Sequence, residues 1–384
     1  MKKPKNVSIE LNENSSFNTV QFNNDEIIPN KSHNLYIIFF YLLLILSIIL
    51  ISLVIYLLKH QKYLKEKILK NNQDNFLNKN DKYFYIIEPY IKSQKEFCEN
   101  QNKYLEPKIE NEIDLFDVKI NELKYQMYVY KSFNWFLYEI KKYGSFEKTV
   151  SNNMINALKF YGIKYNILNN KDIFILDIGG NVGWYPSFLG RYGYSIISFE
   201  AFKKNYYVEK KNLCLLSNDS NVIIITKGLG TEDKTCNYFT QKKNIGNGMV
   251  ICENKEILNN TWLGNQFKKE SQVEITTLNK FIPYLSNKNI ALMKLDIEGH
   301  ELHAIEGGKE LITKYHIPYV VLEFSPPYLR EVGSDPKKLA QFFVDNGYKI
   351  SINGFLSKHY ITIDELITKA NYQINCYFIH QSML

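Results

Sequence analysis

Hydrophobic residues follow two different patterns along this chain of 384 residues. Residues 35–58, LYIIFFYLLLILSIILISLVIYLL, form one unbroken apolar run without a charged side chain. From about residue 111 onward, apolar residues return in short runs that are separated by polar, helix-prone segments. The first pattern is typical of a helix in a membrane, and the second is typical of an α/β domain.

The long apolar run predicts a transmembrane helix over residues 35–58. Its 24 residues would extend about 36 Å, enough to cross a hydrocarbon core of about 30 Å with some tilt. The run is too long and too far from Met1 for a cleaved signal peptide. We therefore expect a single-pass membrane protein with a polar, disordered tail over 1–34, a stem or linker over 59–110 and a folded domain over 111–384.

The short apolar runs predict seven strands that alternate with helices. The predicted strands are 173–178, 194–200, 221–228, 290–296, 318–324, 348–353 and 375–380. The predicted helices between them are 183–192, 202–215, 300–315 and 335–346. Such alternation forms βαβ units with right-handed crossovers. We therefore predict a Rossmann-like α/β fold: a doubly wound, mostly parallel seven-stranded sheet with helices on both faces. Its core covers about 172–384, and a mainly helical extension over 111–165 precedes it.

Charge and cysteine spacing argue against two kinds of ligand. The net charge is +7, but the lysines are spread along the chain and no arginine-rich patch interleaves with aromatics. A nucleic-acid partner is therefore not expected. The five cysteines show no C-x-x-C spacing, which argues against structural zinc. Cys236 and Cys252 could bridge in an oxidising compartment, or all five cysteines could be small buried side chains.

A glycine loop follows the first predicted strand and opens a helix, the position where doubly wound folds bind nucleotides. It reads Asp177-Ile-Gly179-Gly-Asn181-Val-Gly183 and lacks the G-x-G-x-x-G spacing of dinucleotide sites. An acid at a strand end can accept a hydrogen bond from an amine, and glycines let the backbone approach a ligand. The helix N-terminus favours a carboxylate. These features suit the amino-acid end of S-adenosyl-L-methionine, so we predict that the four named residues bind this cofactor.

Two residues on the next strands extend the predicted cofactor site. Glu200 ends the second strand about 20 residues beyond the loop, where an acid can bind a ribose diol. Gly228 ends the third strand, where a flat adenine ring could lie against the backbone. Asp177, Gly179, Gly183, Glu200 and Gly228 occur in the order that such a site requires, which favours a cofactor site over an ordinary glycine loop of an α/β domain.

A series of motifs resembles the FkbM-type methyltransferase family, which consists of class I S-adenosylmethionine-dependent enzymes. The motifs are GSFEKTV (144–150), LDIGGNVGWY (176–185), SFEAF (198–202), GLG (228–230), VEITTLNKF (273–281), LMKLDIEGHELHAIEGG (292–308) and VVLEFSP (320–326). The resemblance implies O-methyl transfer to a hydroxyl of a glycan, a glycolipid or a small molecule. Asn279 stands where the family pattern usually has aspartate, and Pro186 lies near a position that usually holds alanine or threonine.

The fourth predicted strand ends in a run of titratable residues. Methyl transfer to a hydroxyl requires removal of the hydroxyl proton, and a carboxylate at this edge of the sheet is well placed to accept it. We therefore predict that Asp296 is the base, with Lys294 or His300 orienting or neutralising it. Glu298 assists or fixes the turn. The alternative is that Glu298 and Glu301 only favour the N-terminal dipole of the next helix.

Two other interpretations of these residues concern a metal and a different acceptor atom. The acids and histidines of the run could be metal ligands, but a complete ligand set is not evident, so no metal is expected. Ser325-Pro-Pro-Tyr328 resembles an element of enzymes that methylate nitrogen, but it follows the fifth strand instead of the fourth. An N-methyltransferase of protein or nucleic acid, or a non-catalytic membrane scaffold with the same fold, are the alternatives.

Two signals disagree about the side of the membrane on which the domain lies. Five lysines follow the apolar run, at positions 59, 62, 65, 67 and 70, which by the positive-inside rule favours the cytosol. Glycan acceptors favour a luminal domain in the Golgi or endoplasmic reticulum, and we expect that location. The glycosylation sequons at Asn218 and Asn259 offer a test.

Overall fold

The computed structural model describes residues 40–56, 59, 82–132, 135–216, 221–241, 244–252 and 267–384. Residues 40–56 are helical and form α1, whose apolar side chains are exposed. Among the described residues, no helix is both long and apolar enough to cross a membrane. The transmembrane helix predicted over 35–58 is therefore not found. Its two ends, 35–39 and 57–58, lie outside the described residues, and the helical part between them extends only about 25 Å.

The other predictions for the N-terminal part concern residues that lie largely outside the described ranges. The predicted tail over 1–34 and residues 60–81 of the predicted stem belong to the undescribed residues, as do both glycosylation sequons. The described residues from 82 onward lie in a compact unit, Gln73–Leu384.

This unit contains β-strands and α-helices in alternation. The strands are β1 (Ile113–Ile120), β2 (Leu123–Tyr130), β3 (Ile173–Ile178), β4 (Ser195–Phe199), β5 (Val222–Ile225), β6 (Gly228–Leu229), β7 (Lys234–Gln241), β8 (Asn244–Ile251), β9 (Phe267–Thr276), β10 (Asn289–Leu295), β11 (Tyr319–Phe324), β12 (Tyr348–Ser351) and β13 (Ile374–His380). The helices are α2 (Glu88–Glu99), α3 (Pro107–Glu110), α4 (Trp135–Tyr143), α5 (Lys148–Lys164), α6 (Trp184–Arg191), α7 (Lys203–Leu213), α8 (Ile282–Leu285), α9 (Glu301–Gly307), α10 (Lys309–Tyr315), α11 (Pro326–Glu331), α12 (Pro336–Asp345) and α13 (Ile363–Lys369).

The central sheet contains seven of the described strands in the order β12-β13-β11-β10-β3-β4-β5. All seven predicted strands are found in it. The five strands from β11 to β5 pair in parallel. Strand β13 lies between β11 and β12 and runs antiparallel to both. The predicted α/β class is correct, but the sheet is mixed.

The order of the strands creates a crevice at the carboxyl edge of this sheet. The chain leaves β3 towards β4 and β5 on one side, whereas β10, the other neighbour of β3, continues to β11 on the opposite side. Loops that leave two adjacent parallel strands in opposite directions separate, and ligands bind in the space between them. Asp177 and Lys294 are neighbours in the β3–β10 register, so both loops start from the same level.

The extension before the sheet begins with a hairpin, so the prediction of a mainly helical segment over 111–165 is wrong for its first part. Strands β1 and β2 pair antiparallel, with Ile120 opposite Leu123. Alternate residues near the turn, such as Val118 and Ile120, are buried, which is the period of two of a half-buried strand. Asn121 has a φ of 52°, which a two-residue hairpin turn requires. Helices α4 and α5 follow as predicted.

Two disulfides connect peripheral elements to the unit. Cys98 in α2 is bonded to Cys214 at the end of α7, across a sequence separation of 116 residues. This bond and the buried Phe97 and Ile109 place α2 and α3, from the predicted stem, against the domain. Cys236 and Cys252 form the second disulfide. It lies in a four-stranded sheet of order β6-β9-β7-β8, built largely by the segment between the third and fourth strands of the central sheet.

Candidate active site

A cavity of about 490 Å³ lies at the carboxyl ends of the central strands. This volume is within the range of small-molecule sites. Among its lining residues are eight of the ten predicted site residues: Gly179, Asn181, Glu200, Gly228, Lys294, Asp296, Glu298 and His300. Asp177 and Gly183 are not among them. The structure therefore brings eight of the predicted residues together at one cavity, from segments that lie far apart in the chain.

The glycine loop after β3 touches the loop after β10 directly. Gly179 has a φ of 92°, and a Cβ atom added to it would lie 1.9 Å from the backbone oxygen of Asp296. A Cβ atom on Gly180 would lie 2.2 Å from the Ser198 hydroxyl oxygen. Both glycines are therefore required by close packing, and the Gly179 position also requires the left-handed backbone that glycine tolerates.

Glu200 fixes the shape of the glycine loop. Its carboxylate accepts hydrogen bonds from the backbone N–H groups of Asn181 and Phe202, each at 2.8 Å. The side chain is buried, and burial raises the pKa of Glu200 to about 7 against the opposing effect of these hydrogen bonds. Each carboxylate oxygen has a second lone pair, so the group can hold the loop and still accept a hydrogen bond from a ligand in the cavity.

Lys294 connects the two loops at the centre of the site. Its ammonium donates to the backbone oxygen of Gly179 at 3.0 Å, and it lies 3.0 Å from Asp296 Oδ2 and 3.7 Å from Asp177 Oδ1. Asp177 is fully buried, and burial raises its pKa to about 6 despite the nearby ammonium. Asp177 thus lies behind Lys294, where it positions the lysine and the loop; it does not face the cavity.

Four carboxyl groups line the side of the cavity next to Lys294, and we call them the carboxyl wall: Glu147, Asp296, Glu298 and Glu323. Burial raises the pKa of Glu147, Glu298 and Glu323, and the charge of Asp296 raises each further. The pKa of Asp296 is lowered instead, because Lys294 and a hydrogen bond with Glu323 outweigh its burial. Asp296 is therefore the ionised member of the wall, as expected for a proton acceptor at neutral pH.

Three members of the wall also form the part of the site that could hold a metal. Asp296, Glu298 and Glu323 each offer a carboxylate oxygen, and these oxygens lie within 4.8 Å of one another. Hard divalent cations favour such oxygen donors. The histidines named from the sequence do not belong to this group.

His300 has a different environment from the one predicted. Its ring is 4% exposed and stacks on His303 with centroids 4.4 Å apart. Burial, together with His303, lowers the pKa of His300 to about 3. The imidazole is therefore neutral, so it lines the cavity but cannot neutralise Asp296 as a cation. Its Nε2 atom lies 4.0 Å from Cys252 Sγ.

Glu147 is a site residue that the sequence did not identify. One of its oxygens accepts a hydrogen bond from the Tyr185 hydroxyl, and Asn375 Nδ2 donates to the other at 3.4 Å. Its backbone is left-handed, with a φ of 40°, and Asn181 and Glu298 are also left-handed at 52°. Such strained positions are typical of functional sites. Glu147 lies within the motif GSFEKTV (144–150), but the motif alone gave it no role, because it precedes α5, far in sequence from the residues beside it.

Glu209 of α7 is a second residue that sequence analysis missed, and it lies beneath the loop. A Cβ atom on Gly180 would meet its carboxylate at 2.7 Å, and one on Gly183 would meet its Cγ atom at 2.7 Å. Burial raises the pKa of Glu209 well above its usual range, and the charges of Asp177 and Glu200 add to this effect. Gly183 thus serves helix packing against α7 and does not line the cavity.

The structure thus shows an α/β domain with a cavity at the carboxyl edge of its sheet, between a glycine loop and a carboxyl cluster. The FkbM methyltransferase domain model matches residues 177–350. Methyltransferase 1 of Beauveria bassiana (strain ARSEF 2860) is 30% identical over 146 residues, which cover 35% of this chain and 58% of that protein. Both matches confirm the resemblance to the FkbM-type methyltransferase family that the motifs indicated.

Two solved structures align with part of this chain at low sequence identity. The bifunctional kinase-methyltransferase WbdD has a TM-score of 0.34 and 13% identity, covering 60% of this chain and 38% of WbdD. Magnesium protoporphyrin IX methyltransferase (ChlM) from Synechocystis PCC 6803 with bound SAM has a TM-score of 0.32 and 11% identity, covering 65% of this chain and 86% of ChlM. The chain thus aligns with little more than half of Methyltransferase 1 and with a smaller part of WbdD.

Proposed function

We propose that this protein is a membrane-anchored, S-adenosylmethionine-dependent O-methyltransferase that acts on a hydroxyl of a glycan, a glycolipid or a small molecule. The observation that carries the proposal is the Lys294–Asp296 pair, where an ionised carboxylate stands between the glycine loop and the rest of the carboxyl wall. Asp296 would therefore lie between the bound methyl donor and the acceptor hydroxyl, where a general base is needed. The family supports methyl transfer, and the site geometry supports oxygen as the acceptor atom.

The residues on the β3–β4–β5 side fit the cofactor. The close-packed glycine loop leaves backbone at the cavity surface, Glu200 offers acceptor lone pairs for ribose hydroxyls, and Gly228 of β6 lines the same cavity. Bound S-adenosylmethionine supplies a methyl group on a positively charged sulfur. The negative side chains around the cavity favour a cationic ligand of this kind.

The residues on the β10–β11 side fit the acceptor. Asp296 accepts the proton of the attacking hydroxyl, and Lys294 holds Asp296 ionised and in place. Glu323 shares a hydrogen bond with Asp296 and orients its second oxygen. Positioning and proton removal are the two contributions that methyl transfer to a hydroxyl needs from the protein.

The N-methyltransferase alternative receives less support from the same geometry. Ser325 precedes α11, where Tyr328 is 2% exposed and shares a hydrogen bond with the Tyr372 hydroxyl at 2.8 Å. Tyr328 is not among the residues that line the cavity. An element that holds a planar nitrogen would have to line it.

We further propose that residues 35–58 anchor the chain as a single-pass segment and that the domain lies in the lumen of the Golgi or endoplasmic reticulum. Two observations support this arrangement: the uncharged apolar run, and two disulfides, which persist in oxidising compartments and are rare in the cytosol. Loss of mass on glycosidase treatment, mapped to Asn218 or Asn259, would support the luminal placement. Their modification cannot occur on a cytosolic domain.

The test of the enzymatic proposal is calorimetric titration of the purified full-length chain with S-adenosylhomocysteine, followed by labelled methyl transfer to membrane glycolipid extracts. We expect micromolar binding, and label in products that resist mild base, as ethers do and methyl esters do not. A folded chain that binds no S-adenosylhomocysteine would contradict the proposal and favour the scaffold alternative.

A further inference from the structure

Trp135 is a large apolar side chain at the cavity that is left open to solvent. It is 59% exposed, lines the cavity and begins α4. Its ring stacks on Tyr138 with centroids 5.1 Å apart. The next residue, Phe136, stacks on Phe146 at 4.4 Å, and Phe146 directly precedes Glu147. Aromatic side chains therefore run from an exposed edge of the cavity to the carboxyl wall.

Few cationic side chains lie near the carboxyl wall. Lys294 is the one cation among the described lining residues, and Asp296 and Asp177 already surround its ammonium at 3.0 and 3.7 Å. His300 also lines the cavity, but its ring is buried and stacks on His303. An acceptor that carried a phosphate, sulfate or carboxylate would therefore lose its hydration beside acidic side chains. No unpaired cation among the described lining residues would compensate its charge, so binding would be strongly unfavourable.

The same wall suits hydroxyl groups. Its carboxyl oxygens accept hydrogen bonds from hydroxyls, and the side-chain amides of Gln373 and Asn375, which also line the cavity, both donate and accept them. A ligand with several hydroxyls can satisfy such a mixed set, whereas an apolar ligand would leave it unpaired.

We propose that Trp135 and the carboxyl wall form an acceptor subsite for an uncharged pyranose ring, and that this subsite excludes anionic sugars. The C–H face of the sugar lies on the Trp135 ring, and its hydroxyls meet the wall, one of them at Asp296. The inference rests on the proposed methyltransferase function and narrows its acceptor class.

The experiment measures labelled methyl transfer by the full-length chain to p-nitrophenyl pyranosides. The neutral set contains glucosides, galactosides, mannosides and fucosides, and the anionic set contains the matching glucuronide, galacturonide and 6-phosphates. The variants are Trp135→Ala and Trp135→Phe. The matched control is Tyr143→Ala, which removes another exposed aromatic residue of α4 that does not line the cavity.

We expect transfer to at least one neutral pyranoside and at least 100-fold lower kcat/KM for its anionic counterpart. Trp135→Ala should raise KM for the neutral acceptor about tenfold with little change in kcat, Trp135→Phe should restore most of the loss, and Tyr143→Ala should match the wild type. Tenfold corresponds to about 1.4 kcal/mol, which is reasonable for one aromatic contact.

Binding of S-adenosylhomocysteine, measured on the same preparations, separates the two ways of failing. A folded chain that does not bind it overturns the proposed function and the subsite with it. A chain that binds it but methylates no neutral pyranoside, or uses the anionic set equally well, overturns the subsite alone. The subsite alone is also overturned if Trp135→Ala and Tyr143→Ala have the same KM for the neutral acceptor.

Discussion

The Lys294 ammonium lies 3.0 Å from a carboxylate oxygen of Asp296, and this contact joins the cofactor side of the cavity to the acceptor side. Lys294 lowers the pKa of Asp296 against the effect of burial. In Lys294→Met the pKa of Asp296 should therefore rise, so the acid limb of the kcat/KM profile should move to higher pH by at least one unit. The loss of activity relative to the wild type should therefore be largest at acid pH and should shrink as the pH rises.

The control for this variant is Lys309→Met, which removes an exposed lysine from α10. It changes the net charge of the protein equally but lies outside the cavity. If both variants showed the same pH profile as the wild type, Lys294 would not act on the base.

Asp296→Asn tests the base itself. The amide cannot accept the hydroxyl proton, so kcat should fall by 10²- to 10⁴-fold, the usual contribution of a general base. The affinity for S-adenosylhomocysteine should change less than fivefold, because Asp296 lies on the acceptor side. Single-turnover transfer and calorimetry measure the two quantities. A variant with unchanged kcat would move the role to another member of the carboxyl wall.

Gly179→Ala tests the contact between the two loops. The new Cβ would lie 1.9 Å from the Asp296 backbone oxygen, and the residue would also keep a positive φ. Gly333→Ala is a matched control, since it has a φ of 81° but nothing within 4 Å of the added atom. Gly333→Ala should lose only the backbone penalty of about 1–2 kcal/mol.

The free energy of unfolding should fall clearly more in Gly179→Ala than in this control. In the fraction of Gly179→Ala that folds, the affinity for S-adenosylhomocysteine should be at least 100-fold lower. Urea unfolding and calorimetry provide the measurements. Equal losses in the two variants would mean that the loops can separate without cost.

The features that could be predicted are those whose pattern lies within one short segment of the sequence. The features that were missed depend on contacts between segments that are distant in the chain. Strand β3 was predicted as residues 173–178, the same bounds as in the structure, because an apolar run stopped by glycines can be recognised within one segment. The acidic residues after β10 were found for the same reason. Glu147 lies in the motif GSFEKTV and Trp135 lies in a helical segment, but both reach the cavity only through tertiary packing of α4 and α5, which neither segment indicates by itself.

Three features that were missed have a more specific origin. The hairpin of β1 and β2 carries the alternation of a strand, but the amphipathic pattern of the next segment, FNWFLYEIKKYG, extended the helical interpretation to it. The Cys98–Cys214 bond spans 116 residues, so cysteine spacing could not suggest it. A neutral His300 was equally beyond the sequence, because its pKa depends on burial against His303.

The two disulfides should contribute unequally to stability. In the chain-entropy model the cost of losing a crosslink grows with the loop that it closes. Replacing Cys98 and Cys214 by serine opens a separation of 116 residues and should cost about 5 kcal/mol, whereas replacing Cys236 and Cys252 opens 16 residues and should cost about 3 kcal/mol.

Peptide mapping without reduction should first find Cys376 as the free thiol. Urea titrations of the two double variants then give the comparison. Five free thiols in protein isolated from the native membrane would contradict both bonds and remove the support for a luminal domain.

The stability of the protein should also decrease as the pH rises, and Glu209 is one identifiable source. Burial raises the pKa of Glu209 well above the ordinary value of 4.5. Between that value and the folded pKa, the unfolded chain has lost a proton that the folded chain keeps. The free energy of unfolding must then fall by about 1.4 kcal/mol per pH unit for this group. The stabilisation is complete below about pH 4.5 and is lost progressively towards the folded pKa.

Glu209→Gln removes the titration while it keeps the shape of the side chain beneath the glycine loop. The difference in unfolding free energy between pH 5.5 and pH 7.5 should therefore be smaller in this variant than in the wild type, by at most about 2.8 kcal/mol, the full effect of one proton over two pH units. Urea unfolding at the two pH values measures it, and Glu310→Gln on the exposed face of α10 provides the control with equal charge change. If the pH dependence of Glu209→Gln equalled that of the control, Glu209 would be ionised in the folded protein. The loop would then rest on a buried charge.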